Sequence, residues 1–204
     1  MPQPLKTGKS TPPRLIPNAR RRVREYLTPP EVARLIAAAG RIGRHGARDA
    51  ALVLVMYRHG LRVSELVALQ WGQVDFATAT LHVRRLKRGT PAAHPIAGDE
   101  LRLLRQLHRA QGDGAPFVFM SERGAPLAAA TVRDIVARAG DAAGFTAQGL
   151  PVHPHMLRHS TGYYLADKGT DTRTIQGYLG HRRIENTVRY TALSAERFRG
   201  LWRD

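Results

Sequence analysis

Five short stretches of this 204-residue chain carry side chains suited to anion binding, proton transfer or nucleophilic attack. Gly60-Leu61-Arg62-Val63-Ser64-Glu65-Leu66 places an arginine at the mouth of a helix. Lys87 stands in a turn, Lys87-Arg88-Gly89-Thr90. His155-Met156-Leu157-Arg158 puts a histidine and an arginine three apart, on one helix face. Leu179-Gly180-His181 sets a histidine just past a helix C-terminus. Thr187-Val188-Arg189-Tyr190-Thr191 puts a tyrosine nine residues beyond that histidine. Arginine binds oxyanions through a planar fork. Histidine moves protons near neutral pH, and lysine can be tuned to do so. A tyrosine hydroxyl can attack and form a covalent intermediate. Taken singly, each residue also has a structural explanation. Arg62 can cap a helix or pair with Glu65, and Lys87 can be a solvated hairpin tip. His155 and Arg158 can be a surface pair. His181 can complement the negative helix end, and Tyr190 can be a core aromatic.

The elements that would carry these residues can be read from pattern. Thr28-Pro29-Pro30-Glu31 is a helix start, with a capping Thr, early prolines and Glu three places on. That helix runs to about Gly40. Helices follow over Ala47–His59 and Ser64–Leu69. The period then changes, and Thr80–Leu86 and Pro91–Ile96 read as strands around the Lys87 turn. Helices over Asp99–Gln111 and Ala128–Ala143 enclose a short Phe117–Met120 strand. Helices over Pro154–Lys168, Thr172–Leu179, Glu185–Tyr190 and Ala195–Trp202 complete the chain. The expected fold is mainly α with a small antiparallel β-sheet, in one domain.

Thirty-two basic residues stand against sixteen acidic ones, a formal net charge of +16. Such a balance points to a polyanionic partner. Residues 1–24 hold seven basic residues, no acidic one and several prolines. They read as a flexible basic arm, with Arg20, Arg21 and Arg22 as candidate DNA contacts. The absence of cysteine excludes disulfides, thiol nucleophiles and thiolate metal sites. No apolar run approaches the ~20 residues of a membrane span. The first residues also lack the apolar centre of a secretory signal, so a cytoplasmic protein without membrane contact is expected. His153, His155 and His159 invite a metal reading, because two of them lie at i, i+4. No Glu follows His155 as in His-Glu-x-x-His, and no carboxylate lies near in sequence, so no metal is expected. No phosphate-loop motif is present, and no cofactor is expected.

Taken together and in order, the Arg, hairpin Lys, His-x-x-Arg, Leu-Gly-His and C-terminal Tyr resemble the catalytic set of the tyrosine recombinases. The resemblance covers about residues 26–202. Tyr57-Arg58-His59-Gly60, Arg84-Arg85-Leu86-Lys87, His153–His159 and Val188–Ala192 are similar to the short members that invert fimbrial promoters for phase variation. It implies the DNA breaking-rejoining fold and a site of Arg62, Lys87, His155, Arg158, His181 and Tyr190. Most of that family carries a separate helical DNA-binding domain before the catalytic one, for which residues 1–24 are too few; the short members similarly lack it.

The resemblance implies attack of Tyr190 on a phosphodiester, giving a 3′-phosphotyrosyl link and a free 5′-hydroxyl, without ATP. Arg62 and Arg158 would clamp the phosphorane-like transition state, and His181 would donate to a non-bridging oxygen. Lys87 would protonate the leaving oxygen, since arginine holds its protons too tightly. His155 would take the tyrosine proton or bind the phosphate; the sequence does not decide which histidine is the base. Glu65 either orients a catalytic side chain or forms a structural ion pair. Arg84, Arg85 and Arg88 would contact phosphates. The expected partner is duplex DNA with paired recombination sites, with DNA-bending accessory proteins as further partners. The tail 191–204, with Leu193, Phe198, Leu201 and Trp202 at helical spacing, would dock on a neighbour in a tetramer or pack on its own domain. Two competing functions stand beside this: a non-catalytic DNA-binding regulator on the same fold, and relaxation of the type IB topoisomerase kind. Tyr190, for which a pure binder has no need, speaks against the first. Small size and Leu-Gly-His speak against the second.

Overall fold

The computed structural model describes residues 24–85 and 91–192. The expectations placed on Arg20, Arg21, Arg22, Lys87, Arg88, the Ala195–Trp202 helix and the tail beyond Ala192 lie outside the described residues.

Helix α1 (Pro29–Arg41) begins where the sequence places it, and the Glu31 carboxylate accepts from both the amide and the hydroxyl of Thr28, at 2.7 and 2.8 Å. Its apolar stripe of Val32, Leu35 and Ala39 is buried against helix α2 (Gly46–His59). Helix α2 is buried on nearly every side from Ala51 to Met56, as a helix through the middle of a domain must be. It stops at Gly60, whose φ of 56° is left-handed. A Cβ there would also lie 2.5 Å from Leu179 Cδ2, so that side chain would have to shift. The short helix α3 (Val63–Val67) follows at once.

Strands β1 (Val74–Asp75), β2 (Thr80–Val83) and β3 (Ala92–Pro95) form one antiparallel sheet in the order β1-β2-β3. Thr80 pairs with Pro95 and Val83 with Ala92, in antiparallel register. Helices α4 (Gly98–Gln111), α5 (Ala129–Ala142), α6 (Pro154–Asp167), α7 (Thr172–Leu179) and α8 (Glu185–Thr191) complete the described chain.

Two details differ from the sequence reading. Phe117–Met120 is not a strand: single bridges join Phe117 to Gln70 and Met120 to Pro126. Its neighbours there are a helix exit and a turn, too short to extend a ladder. Strand β1 was not expected, because two residues after a 3-10 turn leave no alternation to detect.

One large core joins α1, α2, the sheet, α4, α5 and the start of α6. A smaller cluster of Ala166, Ile175, Leu179 and Tyr190 ties α6, α7 and α8 together. The two meet along α6, where Ser160 accepts a hydrogen bond from the Leu27 amide at 2.8 Å. Thr161 on the same helix donates to the Tyr57 carbonyl.

Candidate active site

The site forms where the C-termini of α2 and α7 approach the first turns of α6. Arg62 follows the Gly60 turn and occupies the N-cap of α3. Its amide donates to Glu65 Oε2 at 3.0 Å and its Nη1 to Glu65 Oε1 at 2.8 Å. The side chain keeps a quarter of its surface exposed. Burial alone would raise the Glu65 carboxyl. The Arg62 amide and the Arg85 cation overcome that and hold it below the usual carboxylate range.

Arg85 departs from the sequence reading. It was expected to contact phosphates, yet its guanidinium is fully buried. It donates to Glu65 Oε2 at 2.8 Å and to the carbonyls of Tyr178 at 2.5 Å and His59 at 3.4 Å. The signal lay in the strand period, because Leu81, Val83 and Arg85 share the inward face. Arg84, on the other face, is exposed. Glu65 forms the structural ion pairs that were one of its two expected roles, and through them it fixes Arg62.

Arg158 is only 1% exposed. Its guanidinium donates to the Gly60 carbonyl and, at 2.6 Å, to the Leu179 carbonyl. Both acceptors sit at negative helix ends, which stabilises the cation. Burial, with Arg62 and Arg85 close by, still pulls its pKa down to about 9. A guanidinium has five N–H donors, so these two bonds leave others that could meet an anion.

His155 stands on the first turn of α6 and is exposed. Together with Arg62, Ser64 and Arg133 it lines an open hollow of about 400 Å³. Desolvation and the Arg158 charge push its pKa down. His181 follows Gly180, the left-handed end of α7. Its Nδ1 is 2.9 Å from Thr187 Oγ1 on α8, and burial followed by Arg158 and Arg62 lowers its pKa to about 3. The Tyr190 ring lies nearly parallel to the His181 ring, with centroids 6.2 Å apart.

Tyr190 is 2% exposed. Burial raises its pKa, and the nearby Arg158 and Arg189 charges oppose that rise. Its hydroxyl lies 2.8 Å from Nδ1 of His159, and not against His155 or His181. His159 is the residue the sequence reading missed as part of the site. Its partner depends on how α8 packs on α6, which no local pattern encodes. Among the described residues, no group of three or more His, Cys, Asp or Glu side chains is placed to hold a metal ion. No helix there is long and apolar enough to cross a membrane.

Arg62, His155, Arg158, His181 and Tyr190, drawn from three separate parts of the sequence, thus share one electrostatic neighbourhood. A fixed cation, a second cation at the rim, two neutral imidazoles and a protonated phenol can together hold and transfer a phosphoryl group.

Comparison with known proteins agrees with this chemistry. Residues 25–197 match the model of the phage integrase family. The type 1 fimbriae regulatory protein FimE of Escherichia coli (strain K12) is 45% identical over 184 residues, 88% of this chain and 91% of that one. The crystal structure of XerA recombinase superposes with a TM-score of 0.72 at 29% identity, covering 85% of this chain and 62% of that chain. This chain therefore spans less than two thirds of that structure's length. XerH site-specific recombinase bound to difH substrate shares the fold, with a TM-score of 0.72, 21% identity, and coverage of 87% and 53%.

Proposed function

The chain belongs to the phage integrase family and is a tyrosine site-specific recombinase acting on DNA, and we propose that its task is to invert a DNA segment in a fimbrial type of phase variation. The observation that carries the chemistry is the gathering of Arg62, Arg158, His155 and His181 around a buried Tyr190. Likeness to a fimbriae regulatory protein over nearly its whole length supports the inversion reading.

In this proposal Tyr190 Oη attacks the scissile phosphorus. The O–H bond breaks as the O–P bond forms, because burial keeps the phenol protonated at neutral pH. Arg62, Arg158 and His181 bear on the non-bridging oxygens. Removing one such donor from a preorganised site costs about 3 kcal/mol, a hundredfold or more in rate. The P–O5′ bond breaks toward a proton from Lys87, and a free 5′-hydroxyl leaves. Reversal by another strand's 5′-hydroxyl rejoins the DNA, with the bond energy held in the 3′-phosphotyrosyl link.

The net charge of +16 favours the duplex in a salt-dependent way. Arg84, Arg88 and the arm with Arg20, Arg21 and Arg22 would add phosphate contacts around the site. Residues 191–204 would reach a neighbouring protomer, so that cleavage waits for a tetramer holding two recombination sites. Such a protein would work in the cytoplasm, with DNA-bending proteins as aids.

Covalent capture tests the reading. Wild type and Tyr190→Phe are expressed, the lysates denatured, and protein-linked DNA recovered and sequenced. Linked DNA is expected from wild type alone, at sites in inverted orientation. Directly repeated sites would replace inversion by excision. Linked DNA from both proteins would overturn the nucleophile.

A further inference from the structure

We propose that His159 is a catalytic residue that receives the Tyr190 proton during strand cleavage. The proposal rests on the recombinase reading and goes beyond it, because the expected roles fell to His155, taking the tyrosine proton or binding the phosphate, and to His181, donating to a non-bridging oxygen.

Geometry carries the argument. His159 Nδ1 is 2.8 Å from the Tyr190 hydroxyl, the atom that must lose its proton. Helix α6 holds the rest of the ring as well. Three residues beyond His159, Gly162 has no side chain, and a Cβ there would stand 2.7 Å from ring carbons of Tyr190. Tyr163 meets the ring edge-on, with centroids 5.2 Å apart and planes at 82°. Helix α6 therefore contacts both the ring and the hydroxyl of Tyr190. The placement meets the distance a general base needs. His155, edge-on to His159 at 4.5 Å between centroids, is exposed and free to serve the phosphate instead.

The electrostatics fit this role. Burial, followed by the charges of His155, Arg189 and Arg158, pulls the His159 pKa to about 3, so the ring is neutral and offers a lone pair. A scissile phosphate placed among these cations would offset them and raise its basicity. In cleavage, the proton passes from Tyr190 Oη to His159 Nδ1, the Oη–P bond forms, the P–O5′ bond breaks, and Lys87 protonates the leaving oxygen. In rejoining, the imidazolium returns its proton to the departing tyrosine oxygen. A base that holds its proton weakly favours that return and keeps the covalent state short-lived.

Two measurements test this. On a duplex carrying a captured site, single-turnover cleavage is followed from pH 7 to 9 for wild type, His159→Asn and His159→Gln. Both variants keep a polar group toward the hydroxyl but cannot take a proton. Cleavage should fall about a hundredfold or more at pH 7. The variant rates should then climb about tenfold per pH unit, as tyrosinate replaces the missing base, while wild type stays nearly flat. Parallel profiles would assign His159 a structural role and overturn the proposal. On the free protein, nitrogen-15 shifts of His159 should show Nδ1 unprotonated and should move in Tyr190→Phe. A protonated Nδ1, or no movement, would overturn it without any DNA. Failure of wild type to cut any duplex would instead remove the recombinase reading, and the nitrogen shifts would still judge the contact.

Discussion

Glu65 and Arg85 form an ion pair at 2.8 Å in which neither side chain keeps more than 1% of its surface exposed. A buried pair of this kind contributes little over an apolar substitute, but breaking it by removing one partner costs about 3–5 kcal/mol. Glu65→Ala strands the Arg85 cation and releases Arg62 in one step. We expect a loss of stability of about that size in urea denaturation, together with loss of cleavage. Arg62→Ala should separate the two effects. Its side chain is partly exposed, so stability should fall by about 1 kcal/mol or less, while cleavage falls a hundredfold or more.

Gly162→Ala tests the seat of the nucleophile. In a helix interior, alanine is favoured over glycine by about 1 kcal/mol. Here its methyl would stand 2.7 Å from the Tyr190 ring, and the ring must move. The melting temperature should change little, because the helix gain offsets the strain. Covalent DNA linkage should drop at least tenfold. Unchanged linkage would mean that the ring re-seats without cost.

Gly180→Ala should be more damaging to the fold. Its φ of 64° is left-handed, and a Cβ would lie 2.8 Å from Arg85 Nε. The left-handed conformation alone costs about 1–2 kcal/mol. Displacement of Arg85 then weakens its bonds to Glu65 and to the Tyr178 carbonyl. Urea unfolding should show a loss exceeding the backbone term.

Acid should destabilise the protein well above the carboxylate range. Burial lowers the pKa values of His94, His159 and His181 from 6.5 to about 3. Between these limits the unfolded chain binds protons that the folded chain refuses, so stability is full above about pH 6.5 and falls as the pH drops toward 3. Each such proton contributes a slope of up to about 1.4 kcal/mol per pH unit. Thermal melts across that window should show uptake of more than one proton on unfolding. His94→Gln, which removes the ring stacked on Tyr178 at 3.8 Å, should flatten the slope by about one proton. An unchanged slope would place the uptake elsewhere.

The sequence announces the parts of this molecule that local chemistry decides. Thr28 with Glu31, Gly60 and Gly180 mark helix boundaries because capping and left-handed turns demand those residue types. The spacing of His155 and Arg158 is legible for the same reason. What depends on packing between distant segments is not. Nothing near Arg85 tells that its guanidinium will meet the carbonyls of Tyr178 and His59, although the strand period points it inward. Nothing near Tyr190 tells that its hydroxyl will find His159 thirty-one residues earlier. The Phe117–Met120 segment has the composition of a strand but lacks a partner long enough to make it one.

The bonds that close the site span most of the chain. The Leu27 amide waits for Ser160, 133 residues on, and the Gly60 carbonyl waits for Arg158, 98 residues on. Tyr190 comes later still. During synthesis the ribosome releases the N-terminal helices first, before their C-terminal partners exist. A chain that ends before Arg158 therefore lacks the buried cation, and one that ends before Tyr190 lacks the nucleophile. Tyr190 is thus the last of the named site residues to be made.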